Sequence, residues 1–271
     1  MQLDLNPQTI DIKGAVFNYY RTPETPGVRK PVLVLQHGFS DNGLCWLPVA
    51  EELAAEYDIL MPDARGHGRS ARVERGQQID QAADLAELLQ ALDIEKAVLA
   101  GHSMGAMIVS EFGARFPAMA TALILEDGGL FSFAPGRASM EESPLGKWML
   151  SLQEKSLEQI LADCRQEHPA WPEAYARSWC QGKKELDLNF LAAQNRHARW
   201  QDTIAAIQCP LLLITADPSQ GGAISAQSAR EAKELNPMVR EVNFPGVGHH
   251  VRFAVHTAYM QAFRAFLLEI R

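Results

Sequence analysis

The stretch VLAGHSMGAMIV, residues 98–109, sets the pattern of a buried strand directly against the pattern of a helix. Ser103 stands at the junction, and Gly101 and Gly105 flank it two positions away on either side. Glycines at these positions let the backbone turn sharply without a Cβ clash, so the serine side chain projects from the tip of the turn. We therefore interpret this stretch as a strand–turn–helix unit that presents Ser103 as a candidate nucleophile.

Two backbone N–H groups close to this turn are candidates for stabilising an oxyanion. The N–H of Met104 has no partner at the start of the helix, so it can donate to an oxygen held beside Ser103. The segment QHGF, residues 36–39, ends another apolar run, and its glycine lets the N–H of Phe39 point back as a second donor. We expect His37 in the same segment to be structural.

A glycine-rich segment near the C-terminus, PGVGHH at residues 245–250, follows the last strand-like run. A histidine in a loop at the carboxyl edge of a sheet is well placed to act as the general base for Ser103. We interpret His249 as this base and keep His250 as the alternative.

The carboxylate that orients the histidine is left open between two aspartates. Such a carboxylate fixes the tautomer of the imidazole and stabilises the imidazolium, and it has to follow a strand near the last strand. Asp127 follows the strand-like run at 121–125, and Asp217 follows the run at 209–215. We treat both as candidate catalytic residues and expect Glu126 to point away from the site.

The order of apolar runs along the chain predicts the fold class. Strands are predicted at 31–36, 57–61, 96–100, 121–125, 209–215 and 238–244, and helices at 48–56, 78–92, 104–116, 225–236 and 255–270. Continuous apolar runs are typical of strands buried on both faces of a parallel sheet. The alternation predicts an α/β fold with a mostly parallel central sheet flanked by helices. An antiparallel pair within 9–20, turning at Gly14, is predicted to open the sheet.

The alternation stops once, between two of the predicted core strands. About 80 residues, from Gly128 to Gln208, contain no strand-like apolar run, and a bare connection is much shorter than this. Their apolar residues indicate several short helices instead. We predict a helical cap at 129–205, inserted over the carboxyl edge of the sheet where open α/β sheets bind ligands, and a core formed by 1–128 and 206–271.

Several residues of the predicted cap are candidates for contacting a small substrate. Arg196, together with His197 and Arg199, could bind a carboxylate through paired hydrogen bonds. Trp148 and Trp179 could form an apolar pocket wall. The simpler interpretation places the basic side chains on a solvated helix face and the tryptophans in the core of the cap.

Composition argues against several other classes of protein. The 271 residues are 47% hydrophobic and 21% charged, which is typical of a globular protein with a sizeable core. The formal net charge of −8 argues against a nucleic-acid partner. The sequence shows neither a signal-peptide pattern nor an apolar run of about 18 residues, and its cysteines lack metal-site or disulfide spacing. We therefore expect a soluble cytoplasmic monomer or homodimer with free thiols and no membrane partner.

Four motifs together resemble those of α/β-hydrolase-fold enzymes in the branch that uses a serine nucleophile. They are HGF at 37–39, DARGHGRS at 63–70, GHSMG at 101–105 and GVGH at 246–249, and the resemblance extends over essentially the whole chain. In size and cap position the chain is similar to small bacterial esterases, meta-cleavage-product hydrolases and (acetamidomethylene)succinate hydrolases. The loop at 63–70 resembles the D-x-R-G-x-G-x-S loop of the family, which implies that Arg65 and His67 fix this loop.

The resemblance implies a hydrolase that forms an acyl-enzyme intermediate with a small-molecule acyl substrate. Ser103 attacks an activated carbonyl, His249 accepts its proton, and the N–H groups of Phe39 and Met104 bind the oxyanion. Neither a metal nor an organic cofactor is expected. We expect hydrolysis of a carboxylic ester or a related small acyl substrate. Carbon–carbon or amide hydrolysis of a ring-cleavage product, a cofactor-free haloperoxidase-like activity and a ligand sensor of the same fold stay open.

Overall fold

Ten strands are present in the computed structural model, which describes residue 3 and residues 5–23, 27–131, 140–195 and 197–270. The apolar runs of the sequence become the interior strands, and their bounds lie within two residues of the predicted ones. The strands are β1 (Gln8–Ile12), β2 (Ala15–Arg21), β3 (Val32–Gln36), β4 (Asp58–Pro62), β5 (Gln78–Ile79), β6 (Ala97–His102), β7 (Ala120–Glu126), β8 (Gln194–Asn195), β9 (Leu211–Thr215) and β10 (Val239–Asn243).

Eight of these strands form one central sheet in the order β1-β2-β4-β3-β6-β7-β9-β10. From β4 to β10 the neighbouring strands pair in parallel, whereas β1 and β4 both pair with β2 in the antiparallel direction. Lys13 and Gly14 make the turn between β1 and β2, and both have positive φ angles, 55° and 85°. The predicted α/β fold with a mostly parallel sheet is therefore confirmed, including its antiparallel opening pair.

Helices cover both faces of this sheet. They are α1 (Leu47–Leu53), α2 (Gln81–Ala91), α3 (Met104–Arg115), α4 (Pro144–Gln153), α5 (Leu157–Glu167), α6 (Glu173–Glu185), α7 (Trp200–Ala206), α8 (Ala226–Leu235), α9 (Val251–Ala254) and α10 (His256–Glu269). Short 3-10 turns occur at Gly43–Trp46, Met140–Glu142, Leu188–Ala192 and Pro218–Gln220. Among the described residues, the helices include none with the length and apolar character that crossing a bilayer requires.

The hydrophobic core is divided by the sheet into two layers because successive strand residues point to opposite faces. Val34 and Leu99 join the layer under α2 and α3, whereas Leu33 and Leu35 join the layer under α1 and α10. All four side chains are completely buried. The double burial explains why the interior strands read as unbroken apolar runs rather than as alternating patterns.

One pairing in the structure differs from the sequence prediction. The sequence predicts a single helix over 78–92, whereas α2 begins at Gln81 and Gln78–Ile79 form β5, which pairs in parallel with β8. Asp80 caps the helix, since its Oδ1 accepts a hydrogen bond of 3.0 Å from Ala83 N. The predicted cap thus contains a short strand, whose two polar residues carry no hydrophobic signal.

The described residues between β7 and α7 are mostly helical. We call residues 140–195 the helical insertion. Residues 132–139, near the start of the predicted cap, lie outside the described residues. α6 is central in the insertion, because it packs against α4 and α5 and also contacts α1 and the turn at Gly43–Trp46. That turn belongs to the chain that leaves the carboxyl end of β3, so α6 lies over the carboxyl edge of the sheet. α7 packs against α3 and α8.

Candidate active site

Ser103 is the single residue between β6 and α3, and its backbone is strained. Its φ is 54° and its ψ is −113°, a conformation that residues other than glycine rarely adopt. The surrounding backbone leaves little space: a Cβ added to Gly128 would lie 2.7 Å from Ser103 Cα, and one added to Gly105 would collide with the carbonyl oxygen of Gln36. Strain of this kind is maintained by tight packing and is concentrated at functional positions.

His249 lies in the loop between β10 and α9, and Asp127 orients its ring. The distance between His249 Nδ1 and Asp127 Oδ2 is 2.6 Å. Because Nδ1 donates its hydrogen to this carboxylate, Nε2 keeps its lone pair and can accept a proton. The His249 side chain is 27% exposed, whereas that of Asp127 is completely buried. The pair therefore has an accessible base and a carboxylate protected from water.

The Asp127 carboxylate is itself held by backbone donors from the loop after β9. Ala216 N donates to Oδ1 at 3.2 Å, and Ala223 N donates to Oδ2 at 2.8 Å. Hydrogen bonds to a buried carboxylate compensate for the water it has lost and fix its direction. The loop after β9 thus supplies hydrogen-bond donors to the acid that follows β7.

The other candidate acid, Asp217, is occupied elsewhere. Its Oδ1 accepts hydrogen bonds from Ser219 N at 2.9 Å and Ser219 Oγ at 2.8 Å, and its Oδ2 accepts one from Gly246 N at 2.8 Å. These hydrogen bonds lower the pKa of Asp217: the bond from Gly246 N has the largest effect, and the bond from the Ser219 side chain has the next largest. Of the two aspartates, only Asp127 reaches His249, and Asp217 anchors the loop that leads to it.

The two proposed oxyanion donors follow neighbouring strands. Gln36 at the end of β3 is in register with Gly101 near the end of β6, so the chain after Gln36 runs beside the turn at Ser103. Phe39 N donates no hydrogen bond to any described residue. Met104 N belongs to the first turn of α3, where N–H groups have no intrahelical acceptor. Both groups are therefore available to an oxygen bound beside Ser103.

His37 and the loop at 63–70 have structural contacts. His37 is completely buried, its Nε2 accepts from Ala64 N at 2.9 Å, and its Nδ1 accordingly donates to Gly38 O at 2.8 Å. Arg65 forms an ion pair with Asp84, with 2.6 Å between Nη2 and Oδ1. His37 thus links two backbone segments, and the Arg65 ion pair fastens the loop at 63–70 to α2.

His102 and His250 are two further histidines beside His249. The ring centroid of His102 lies 4.6 Å from that of His249, and its Nε2 is 3.1 Å from the His249 carbonyl oxygen. The ring of His250, the alternative base, packs 5.0 Å from the ring of Trp171, and its nitrogens make no hydrogen bond to a described residue. Burial lowers the pKa of both His102 and His250 well below 6.5, so both rings are neutral at pH 7. Of these three neighbouring histidines, His249 is the one that a carboxylate of the described residues orients.

Asp41, His102 and His250 form a cluster whose potential metal-ligand atoms all lie within 4.8 Å of one another. Asp41 already has a cationic partner, since Lys183 Nζ lies 2.8 Å from its Oδ1 and both side chains are 2% exposed. A buried ammonium this close opposes a second cation. We therefore assign no metal to this cluster.

A buried ion pair that the sequence did not reveal lies next to the site. Glu126, the last residue of β7, accepts from Arg252 N at 3.0 Å and from Arg252 Nη1 at 2.8 Å. Both side chains are completely buried. Glu126 therefore faces Arg252, whereas Asp127, which follows the strand with a φ of 40°, faces His249. The pair ties the end of β7 to α9, directly after the loop that carries His249.

The two tryptophans predicted to contact substrate differ in position. Trp148 lies on α4 with 38% of its surface exposed, and its ring centroid is 5.9 Å from that of Trp179. Trp179 on α6 is buried, and its ring centroid lies 6.4 Å from that of His250. Only Trp179 thus contacts a residue of the site.

Two of the three basic residues predicted to bind a substrate carboxylate, His197 and Arg199, lie within the described structure. His197 Nδ1 lies 2.8 Å from Glu111 Oε1 on α3, so this ring already faces a carboxylate. Arg199 is exposed at the start of α7. Arg196 lies outside the described residues.

Comparison with known sequences places this fold and site in a family. A sequence model of the alpha/beta hydrolase family matches residues 32–265, so the chain belongs to that family. The chain is 32% identical over 127 residues to an uncharacterized protein of Mycobacterium tuberculosis. This alignment covers 46% of this chain and 37% of that protein. It is 26% identical over 230 residues to 2-(acetamidomethylene)succinate hydrolase of Mesorhizobium japonicum, with 82% of each chain covered.

Solved structures share the fold over nearly the whole chain. An esterase from Rhodococcus sp. ECU1013 superposes with a TM-score of 0.78 at 20% identity and covers 100% of both chains. The enol-lactonase from Burkholderia xenovorans LB400 gives 0.77 at 20% identity, covering 96% of this chain and 100% of that chain. E-2-(acetamidomethylene)succinate hydrolase gives 0.71 at 18% identity, covering 97% and 99%. At these identities the likeness concerns the fold alone.

Proposed function

We propose that the protein is a serine hydrolase that cleaves a carboxylic ester, or a related small acyl substrate, through an acyl-enzyme intermediate. The observation that carries the proposal is the hydrogen bond of 2.6 Å between His249 Nδ1 and Asp127 Oδ2, which leaves Nε2 as a base. The His249 ring packs 4.6 Å, between centroids, from that of His102, the residue before the strained Ser103. An imidazole oriented by a buried carboxylate, close to a serine on a sharp turn, is the arrangement that nucleophilic acyl transfer requires.

In the first half of the proposed reaction, Ser103 Oγ attacks the carbonyl carbon while His249 Nε2 takes the hydroxyl proton. Asp127 stabilises the resulting imidazolium through the Nδ1 hydrogen bond. The N–H groups of Phe39 and Met104 donate to the oxyanion of the tetrahedral intermediate. His249 then gives its proton to the departing alcohol oxygen, and the acyl group remains on Ser103.

In the second half, water replaces the alcohol. His249 Nε2 removes a proton from this water as its oxygen attacks the acyl carbon, and the same backbone donors stabilise the second oxyanion. Collapse of this intermediate returns the proton to Ser103 Oγ and releases the carboxylic acid. The cycle uses side chains and backbone of this chain alone.

The helical insertion is the proposed cap over this site. Phe190, in the 3-10 turn after α6, lies with its ring centroid 6.1 Å from that of Phe39 and 4.5 Å from that of His67. An aromatic residue of the insertion thus reaches the residue that carries an oxyanion donor, which supports an apolar acyl pocket wall here. We also propose that the enzyme is cytoplasmic, acts as a monomer or homodimer, and needs no nucleic-acid or membrane partner.

Amide hydrolysis is the second candidate. It is favoured by the relative from Mesorhizobium japonicum, whose name is that of a hydrolase of an acetamido compound and which aligns over 82% of both chains. The same nucleophile, base and oxyanion donors serve both bonds, and the difference is the leaving group that His249 protonates.

A panel of substrates, together with a fluorophosphonate that labels reactive serines, tests the proposal. The panel contains 4-nitrophenyl acetate, 4-nitrophenyl octanoate, an enol lactone and an acetamidomethylene dicarboxylate, each given to the native chain and to Ser103→Ala. We expect steady turnover of the acetyl ester by the native chain, none by Ser103→Ala, and labelling of Ser103 by a fluorophosphonate. Faster turnover of the acetamido compound than of the ester would replace ester by amide hydrolysis. Binding without turnover, or activity that survives in Ser103→Ala, would refute the serine-hydrolase proposal.

A further inference from the structure

α6 approaches the chain that follows β3 very closely. A Cβ added to Gly182 would lie 2.8 Å from both Asp41 Cα and Ser40 O, so only glycine permits this contact. The next residue, Lys183, places its Nζ 2.8 Å from Asp41 Oδ1 and 3.2 Å from Ser40 O. A helix of the insertion is therefore fastened to one short loop of the core.

The Lys183 ammonium is used entirely within this contact. Its side chain is 2% exposed, and Nζ lies 4.1 Å from the centroid of the Trp179 ring. Its three N–H donors thus meet the Ser40 carbonyl, the Asp41 carboxylate and an aromatic face. Because desolvating an ammonium is costly without such partners, Lys183 is committed to the loop and has no donor left for a substrate.

The loop that Lys183 holds carries one of the proposed oxyanion donors. Asp41 N donates to Gly38 O at 3.2 Å, which closes a turn around Phe39, and Ser40 within this turn has a left-handed φ of 58°. On the other side the turn packs on the end of β6, since a Cβ added to Gly38 would lie 2.7 Å from His102 Nδ1. The direction of the Phe39 N–H is therefore set by a strained turn held between the end of β6 and α6.

We propose that Lys183 is a positioning residue for the oxyanion site. Through Ser40 O and the Asp41 carboxylate it holds the turn at 38–41 so that the N–H of Phe39 points at the oxyanion formed on Ser103. The inference rests on the proposed function, because it concerns the same reaction. Oxyanion donors are effective only when they are preorganised, so loss of this contact lowers the rate without removing the donor itself.

Lys183→Met and a matched control, Lys184→Met, test this role with 4-nitrophenyl acetate. Lys184 is the control because its Nζ donates to Gln153 O and Lys155 O, both within the helical insertion. In Lys183→Met we expect kcat to fall about 10- to 100-fold and KM to change less than about threefold, since the donor is misplaced and substrate contacts remain. The control is expected to keep kcat within about twofold of native. Similar kcat losses in both variants would overturn the proposal.

A double variant separates positioning from stability. Lys183→Met leaves the Asp41 carboxylate buried without its partner, whereas Lys183→Met/Asp41→Asn removes both charges. We expect the double variant to recover much of the free energy of unfolding in urea but to keep a low kcat, because Ser40 O still lacks its donor. Its affinity for a trifluoromethyl ketone, which forms a tetrahedral adduct on serine, should fall in parallel with kcat. A native kcat in the stable double variant would show that Lys183 is merely structural.

The fluorophosphonate label distinguishes failure of this inference from failure of the proposed function. If the native chain is inactive and Ser103 is not labelled, both proposals fall. If the native chain is labelled and active, while Lys183→Met has native kcat and native affinity for the ketone, only the positioning role of Lys183 is refuted.

Discussion

Asp127 Oδ2 and His249 Nδ1 lie 2.6 Å apart although 122 residues separate them in the sequence. β7, which ends just before Asp127, pairs with β9, and β9 pairs with β10, which leads to the His249 loop. The acid therefore reaches across β9 to the histidine, and the loop after β9 closes around the carboxylate. A short hydrogen bond to an ionised group in a buried setting is among the stronger polar contacts in proteins.

The two candidate acids are separated by their asparagine variants. Asp127→Asn is expected to lower kcat on 4-nitrophenyl acetate by about 10⁴-fold, because an amide favours the wrong imidazole tautomer. Asp217→Asn should retain most of the activity, since its contacts are to Ser219 and Gly246. Steady-state kinetics of both variants checks this, and equal modest losses would contradict the assignment of Asp127.

Replacement of the nucleophile should abolish activity without unfolding the protein. Ser103→Ala is expected to lose about 10⁴-fold or more in kcat, while the melting temperature stays close to native because alanine occupies the same turn. Ser110→Ala is the matched control, as Ser110 is a buried serine in α3 whose Oγ donates only to Met107 O. Turnover by Ser103→Ala above a few per cent of native would exclude the acyl-enzyme route.

The buried pair between Glu126 and Arg252 should matter more for stability than an exposed pair. Glu126→Gln leaves the Arg252 charge buried without a counter-charge, so the free energy of unfolding is expected to drop by about 3–5 kcal/mol. Asp163→Asn removes the Lys155–Asp163 pair, whose side chains are 44% and 48% exposed, and should cost less than about 1 kcal/mol. Urea denaturation followed by tryptophan fluorescence measures both, and comparable losses would speak against a special role for the buried pair.

Stability is expected to decline as the pH falls below the ordinary histidine pKa. Burial lowers the pKa of His67, His102 and His250 well below 6.5. Below that pH the unfolded chain binds protons on these rings while the native state does not. The free energy of unfolding therefore decreases by up to about 1.4 kcal/mol per pH unit for each histidine, until the native pKa is reached.

His250→Phe isolates one of these groups, because phenylalanine can pack against the same aromatic neighbours without titrating. The free energy of unfolding in urea is measured for the native chain and for His250→Phe between about pH 5 and 7.5. The pH dependence of this free energy should be shallower for the variant, because its unfolding takes up about one proton fewer. Identical slopes would show that His250 is not kept neutral in the native state.

The sequence by itself determined the order of the interior strands and of the helices that flank them, and it singled out the candidate nucleophile. Both are local properties: an interior strand reads as an apolar run, and the turn at Ser103 needs small residues two positions away on each side. Phe39, Met104 and His249 were predicted in the same way, from glycine-containing segments that follow strands. Hydrophobic periodicity carried no signal for β8, because two polar residues pair there through backbone alone.

Only the tertiary structure decided between Asp127 and Asp217. Both aspartates follow buried strands, and the local sequence does not distinguish an acid that reaches the histidine from one that caps a turn. The pairings of Lys183 with Asp41 and of Arg252 with Glu126 were equally invisible, since each joins residues more than 120 positions apart. Which charges meet is set by the crossing of strands and the seating of α6 on the core, and these depend on the packing of the whole chain.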